Sequence, residues 1–155
     1  DIPQIQSVLF NTWVAAYAEF IPIQDIQWYF NNYYSESRFR EMADETTTWN
    51  FVAEIHGQLA GYARAKIHGD DKNFYVESLY VLPEFQGKGI GIELLKICES
   101  YAKERNFSQV WLGVMEKNVK TLAWYKKLGF EFTAEAPFVM GETTVNHLIG
   151  YRTIL

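Results

Sequence analysis

Apolar side chains recur three and four residues apart at Ile2, Ile5, Val8, Leu9 and Trp13, the spacing of one helix face. Asp1 stands where an N-cap belongs, and Pro3 falls in the first turn, where a missing N–H costs nothing. Pro22 interrupts the pattern, and a second helical segment carries Ile26, Tyr29, Phe30, Tyr33 and Tyr34 on its apolar side. From Thr46 onward the period changes. Residues 50–55 and 59–67 alternate or cluster β-forming side chains around His56-Gly57-Gln58, which predicts an antiparallel hairpin. The polar run Gly69-Asp70-Asp71-Lys72-Asn73 separates it from a third strand over 74–82, closed by Pro83. Helical spacing returns over 88–105 with Ile90, Leu94, Ile97, Cys98 and Tyr101. A strand over 109–115, a short helix over 118–128 ended by Gly129, and two strands near 130–139 and 145–154 follow.

With 155 residues, 48% of them hydrophobic, the chain is expected to form one domain around a sizeable core. It opens inside a helix without an initiator Met, so a short strand is expected before Asp1. No apolar run approaches the roughly 20 residues of a membrane helix, and nothing resembles a secretory signal, so a soluble, cytoplasmic protein is expected. The single cysteine, Cys98, excludes an intrachain disulfide and reads as core. His56, His68 and His147 are scattered without ligand spacing, so no metal is expected. Trp13, Trp28, Trp49 and Trp111 read as core or cleft lining. The formal charge of −5 argues against nucleic acid and favours a cationic partner.

Candidate chemistry is concentrated where the third strand meets the long helix, at Pro83-Glu84-Phe85-Gln86-Gly87-Lys88-Gly89-Ile90-Gly91. A helix N-terminus offers unpaired N–H groups and the positive end of the helix dipole, and so binds phosphate wherever the backbone can approach. Gly87, Gly89 and Gly91 remove side chains from that approach, and Lys88 adds a cation. A strand-to-helix turn can also require glycine merely to turn. The stretch lacks the full GxxxxGK[ST] of a P-loop and the GxGxxG of a dinucleotide fold.

Gln86-x-x-Gly89-x-Gly91 after Leu79-Tyr80-Val81 resembles the acetyl-coenzyme A signature of the GNAT superfamily of N-acetyltransferases. Asn118 followed by Ala123-Trp124-Tyr125-Lys126-Lys127-Leu128-Gly129-Phe130 is similar to the second motif of that family, with Thr121 and Trp124 as departures that touch no reacting group. The resemblance implies a GNAT acyl-CoA N-acyltransferase fold of the α/β (α+β) class, with a mixed, mostly antiparallel central sheet flanked by helices. It also implies that acetyl-CoA is the co-substrate. Carried over by position, Leu79, Tyr80 and Val81 pair with the pantetheine arm, and Gln86, Gly87, Lys88, Gly89, Ile90 and Gly91 hold the pyrophosphate. The family's third strand is splayed by a bulge, which this sequence does not display.

The implied chemistry is direct attack of a neutral amine on the thioester, with three needs: a base for the ammonium proton, a donor for the carbonyl oxygen, and an acid for the departing thiolate. Glu77 is the candidate base, with a paired strand carboxylate as its plainer reading. Tyr125 matches the family tyrosine beside the sulfur, although Leu122, Tyr125 and Leu128 would also share a core face. Asn118 either bonds the cofactor arm or only caps its helix, and Lys127 either approaches a cofactor phosphate or is solvated. A backbone N–H near Val81 would polarise the carbonyl.

Between Glu19 and Glu45 six acids (Glu19, Asp25, Glu36, Glu41, Asp44, Glu45) face two bases (Arg38, Arg40), which suggests an acidic acceptor site. The run Val110–Asn118 with Tyr125-Lys126-Lys127 and Phe138-Val139-Met140-Gly141 resembles the bacterial spermidine/spermine N-acetyltransferases. A polyamine acceptor is therefore expected, with a protein N-terminus, a lysine or another small amine as the close competitor. A non-catalytic acyl-CoA sensor is the competitor from another class. A homodimer whose neighbour supplies acceptor-site residues is compatible with this reading.

Overall fold

The computed structural model describes residues 1–154. The elements are α1 (Ile2–Tyr17), α2 (Ile23–Tyr33), α3 (Glu36–Ala43), β1 (Thr48–Ile55), β2 (Gln58–Ile67), β3 (Phe74–Val81), α4 (Ile90–Glu104), β4 (Gln109–Met115), α5 (Val119–Lys127), β5 (Glu131–Met140) and β6 (Thr143–Thr153). The strands form one mixed sheet in the order β1-β2-β3-β4-β6-β5, antiparallel throughout except where β3 and β4 run parallel. This is the fold the sequence implies.

Period-two alternation divides the core between the two faces of the sheet. Tyr62 points to the face covered by α1, α2 and α3, where Leu9, Trp13, Ile26 and Phe39 are buried around it. Ala63 and Ala65 point to the other face, where small side chains let α4 pack close through Leu94, Leu95 and Cys98. Burial raises the Cys98 thiol to about 12, so it is an inert core residue.

Local chemistry accounts for the turns. His56 (φ 50°) and Gly57 (φ 79°) both adopt the left-handed conformation, the two-residue turn that matches strand twist. The sequence pattern missed α3, a helix capped by Ser35, whose hydroxyl accepts from the Arg38 N–H at 3.4 Å, and anchored by buried Phe39 and Met42. Asp1 occupies the N-cap position of α1, but its side chain bonds no amide. Trp28 is half exposed, against the core or cleft expectation. Among the described residues no helix is long and apolar enough to cross a membrane.

The interruption at the middle of the sheet positions the site. Arg64 lies opposite Ser78 and Ala65 opposite Val76, so Glu77 is an extra residue with no partner on β2, a β-bulge. Among the described residues β3 and β4 share one ladder position, Tyr75 with Trp111, and beyond it they part.

Candidate active site

The parting strands open a cleft of about 1040 Å³ between β3 and β4. The Leu82 N–H donates to the Ala60 carbonyl at 2.9 Å, so by register the backbones of Leu82, Tyr80 and Ser78 are the ones that pair with β2. The N–H and C=O groups of Leu79 and Val81 consequently face the gap. They form a strand edge inside the molecule that no neighbouring strand covers, with the Val81 carbonyl taken by the Gln86 side chain. Tyr80 turns its backbone to β2, and its partly buried ring lies edge-on to Trp13 in the cleft lining.

At the end of this edge the chain turns into α4. Glu93 is the first residue of the helix whose N–H is satisfied, by the Gly89 carbonyl at 3.1 Å, which leaves the amides of residues 87–92 turned outward. Gly87 (φ 75°) and Gly89 (φ 83°) are left-handed, and a side chain built on either would meet only open space. Glycine is therefore needed there for backbone conformation, and the open space leaves the amides approachable. Gly91 has another reason: a Cβ there would lie 3.3 Å from the Trp124 ring, so its absence lets α4 and α5 pack together. Gln86 braces the loop, because its N–H is bonded to Pro83 and its Nε2 donates to the Val81 carbonyl at 2.9 Å. Lys88 holds its ammonium 5.3 Å from the centre of the Phe85 ring. Ile90 packs its side chain into the core beneath α4.

Tyr125 projects from α5 into the cleft lining, edge-on to Phe130 at 5.3 Å. Burial raises its phenol well above the ordinary value of 10.0, with the nearby Tyr80 phenol a smaller contributor. Asn118 lines the same cleft, and its side chain makes no capping bond, so capping does not explain it. Lys127 is exposed in the last turn of α5 and is not part of the cleft lining.

Glu77 lines the cleft with both carboxylate oxygens engaged. Oε2 accepts from Arg64 Nε at 3.1 Å, and Oε1 lies 2.7 Å from His68 Nε2. Arg64 is itself buried and fixed by Tyr34, whose hydroxyl accepts from Nη2 at 3.0 Å. Its remaining contact is with the Met42 sulfur. Sequence reasoning set aside His68 and His147, yet both line the cleft. His147 lies on β6 with its ring over Gly113 of β4, where a Cβ would overlap the imidazole. Burial lowers the His147 pKa below 6.5, so it stands neutral at pH 7. Gly113→Ala should displace that ring without unfolding the sheet. The expected result is a shift of the His147 imidazole signals in NMR spectra, with cooperative thermal unfolding retained.

The acidic segment does not assemble as its charge count suggests. Of its six acids only Glu19 lines the cleft. Asp25 is buried and ties α2 to the β5–β6 turn, accepting from the Thr143 hydroxyl at 2.6 Å. Glu36 and Glu41 pair with Arg40 and Arg38 on the exposed face of α3, and Glu45 pairs with Lys66 at 2.8 Å. Among the described residues no cluster of three or more His, Cys, Asp or Glu side chains is gathered for a metal.

The chain is similar in sequence and in fold to known proteins. The family described as acetyltransferase (GNAT) family matches residues 14–130. An uncharacterized N-acetyltransferase of Mycobacterium tuberculosis is 26% identical over 100% of this chain and 99% of its own length. Thialysine N-epsilon-acetyltransferase of Bos taurus is 37% identical over 42% of this chain and 38% of its own length. Among solved structures, the PaiA N-acetyltransferase of Thermoplasma acidophilum, crystallised in complex with coenzyme A, superposes with a TM-score of 0.84. It covers 99% of this chain and 93% of its own at 21% identity, a likeness of fold.

Proposed function

Because the chain belongs to the acetyltransferase (GNAT) family, matched over residues 14–130, and is thus an acetyl-CoA-dependent N-acetyltransferase, we propose that it acetylates a small primary amine, a polyamine such as spermidine, by direct attack. One observation carries the site assignment: the outward-facing backbone edge of Leu79 and Val81 runs into the unpaired amides of residues 87–92. That continuous line of donors matches a ligand with an amide-bearing arm and a diphosphate at its end. The strand edge takes the pantetheine amides, the loop takes the pyrophosphate, and Asn118 reaches the arm from the α5 side.

The thioester then lies in the gap between β3 and β4, beside Tyr125. The amine nitrogen sheds two protons during the reaction. The first leaves the ammonium, whose ordinary pKa is about 10.4, to Glu77 directly or through one water, freeing the lone pair. Attack forms the C–N bond, and a strand N–H near Val81 holds the developing oxyanion. As the C–S bond breaks, Tyr125 protonates the sulfur and recovers the second proton from the nitrogen. Its raised pKa keeps the hydroxyl protonated for that step.

What supports a polyamine is the cleft lining, which includes the carboxylate of Glu19 and the rings of Phe20, Tyr29 and Tyr34, surfaces that accommodate alkylammonium groups. Lys117 and Lys120 line the same cleft and favour a second reading, an amine on a molecule that also carries a carboxylate. Thiol release from acetyl-CoA with spermidine, spermine, putrescine, lysine, thialysine and a peptide with a free N-terminus separates them. Spermidine or spermine should give the highest kcat/KM. A preference for lysine or thialysine would establish the second reading, and tight cofactor binding with no amine acetylated would leave a sensor.

A further inference from the structure

His68 lines two cavities at once. One is the reaction cleft, and the other is an outer cavity of about 560 Å³ lined also by Asp44, Glu45, Lys66 and Lys72. Its ring is held from two directions and its backbone from a third. Nε2 is 2.7 Å from Glu77 Oε1. The ring face stacks on Tyr75 with centroids 3.9 Å apart and planes inclined by 14°. Its backbone is fixed by bonds of 3.0 Å to the Asn73 carbonyl and 3.2 Å from the Lys72 N–H. A histidine that only packed would not need its nitrogen aimed at the one cleft carboxylate already bonded to a buried arginine.

From this placement, and resting on the assignment of Glu77 as base, we infer that His68 relays the acceptor's proton from Glu77 out of the cleft to solvent in the outer cavity. The proton released by the ammonium reaches Glu77 Oε1 and passes along the short bond to His68 Nε2. Starting as the Nδ1–H tautomer, the ring becomes imidazolium and releases its Nδ1 proton to water on the outer side, which leaves the Nε2–H tautomer; water-mediated return to the Nδ1–H tautomer completes the cycle with one proton delivered to bulk. No bond other than these N–H and O–H bonds changes. The need for such a route follows from Arg64. Its guanidinium stays on Oε2, so a proton held on Glu77 would be opposed by a fixed buried cation beside it. Other charged groups around the imidazole are Asp71, reached through the Tyr75 hydroxyl at 2.9 Å, and the Glu45–Lys66 pair, Asp44 and Lys72 across the outer cavity.

The test compares His68→Gln, His68→Ala and Glu77→Gln as full chains, using whichever amine of the panel above is acetylated fastest. Relay predicts that kcat in both His68 variants falls by about tenfold or more, with affinity for coenzyme A unchanged by calorimetry. The acidic limb of the pH profile of kcat/KM should flatten. Added imidazole should restore turnover to His68→Ala in proportion to its unprotonated concentration. If Glu77→Gln is impaired while His68→Gln keeps the wild-type rate and profile, the relay is overturned and Glu77 alone is the base. If the His68 variants are slow yet unresponsive to imidazole and keep the wild-type profile, His68 is a packing residue and the relay is again overturned. A fully active Glu77→Gln would remove the base assignment and the relay together.

Discussion

Glutamate at position 89 should abolish binding of acetyl-CoA while the protein stays folded. Gly89 is the N-cap of α4, left-handed at φ 83°, and a side chain placed there enters open space in front of the free amides of the helix. That space is where the proposed pyrophosphate sits. A carboxylate about 4 Å from an anion opposes it by about 4 kcal/mol at an effective dielectric of 20, close to a thousandfold in affinity. The conformational penalty of a left-handed residue with a side chain is only about 1–2 kcal/mol, a lowering of the melting temperature by a few degrees. Gly89→Asn separates the two effects, because asparagine tolerates this conformation and carries no charge. Calorimetry should show binding lost in Gly89→Glu and partly kept in Gly89→Asn. Near-normal affinity in the glutamate variant would overturn the assignment of this loop.

Tyr125→Phe is expected to lower kcat by about a hundredfold, the usual range for losing a positioned acid, with little change in affinity for coenzyme A. The ring is packed between Trp124 and Phe130, so phenylalanine keeps the packing and removes only the hydroxyl. Burial places the phenol well above its ordinary value. Its protonated form therefore persists through pH 10, and Tyr125 contributes no alkaline loss of activity below that. A thiol leaves with an ordinary pKa of about 8.5, so the missing acid should matter most at low pH, where the wild type returns a neutral thiol. If leaving-group protonation were supplied by water alone, the variant would turn over at the wild-type rate.

The parts of this molecule legible in the sequence are those decided by a few neighbouring residues. The His56-Gly57 turn and the loop after Pro83 are local chemistry, and both form where the pattern puts them. The bulge at Glu77 is not local. It exists only in the pairing of β2 with β3, and no residue type in Phe74-Tyr75-Val76-Glu77-Ser78 announces it. The acids of the helical segment were misread for the same reason, because charge counted along the chain ignores where each side chain is turned. Asp25 serves a turn more than a hundred residues away, and Glu45 serves Lys66. His68 and His147 lay in view, yet what makes each notable is a partner brought by the sheet: a carboxylate for one, a missing Cβ for the other. α3 could have been found, since Ser35 followed by Glu36 and Arg40 is a capped and paired helix start.

The strand edge at Leu79 and Val81, which no neighbouring strand covers, has an evolutionary side. In the proposed complex the cofactor arm takes the place of a missing strand and is gripped there by main-chain groups that every amino acid except proline supplies. Substitutions at these two positions can alter how the strand packs, but they cannot erase its donors and acceptors. The seam between the two halves of the sheet thus holds a recognition element that mutation reaches only by changing the path of the backbone. The side chains that line the cleft, such as Glu19 and Tyr29, have no such protection, which leaves amine preference free to drift while the acetyl donor stays the same.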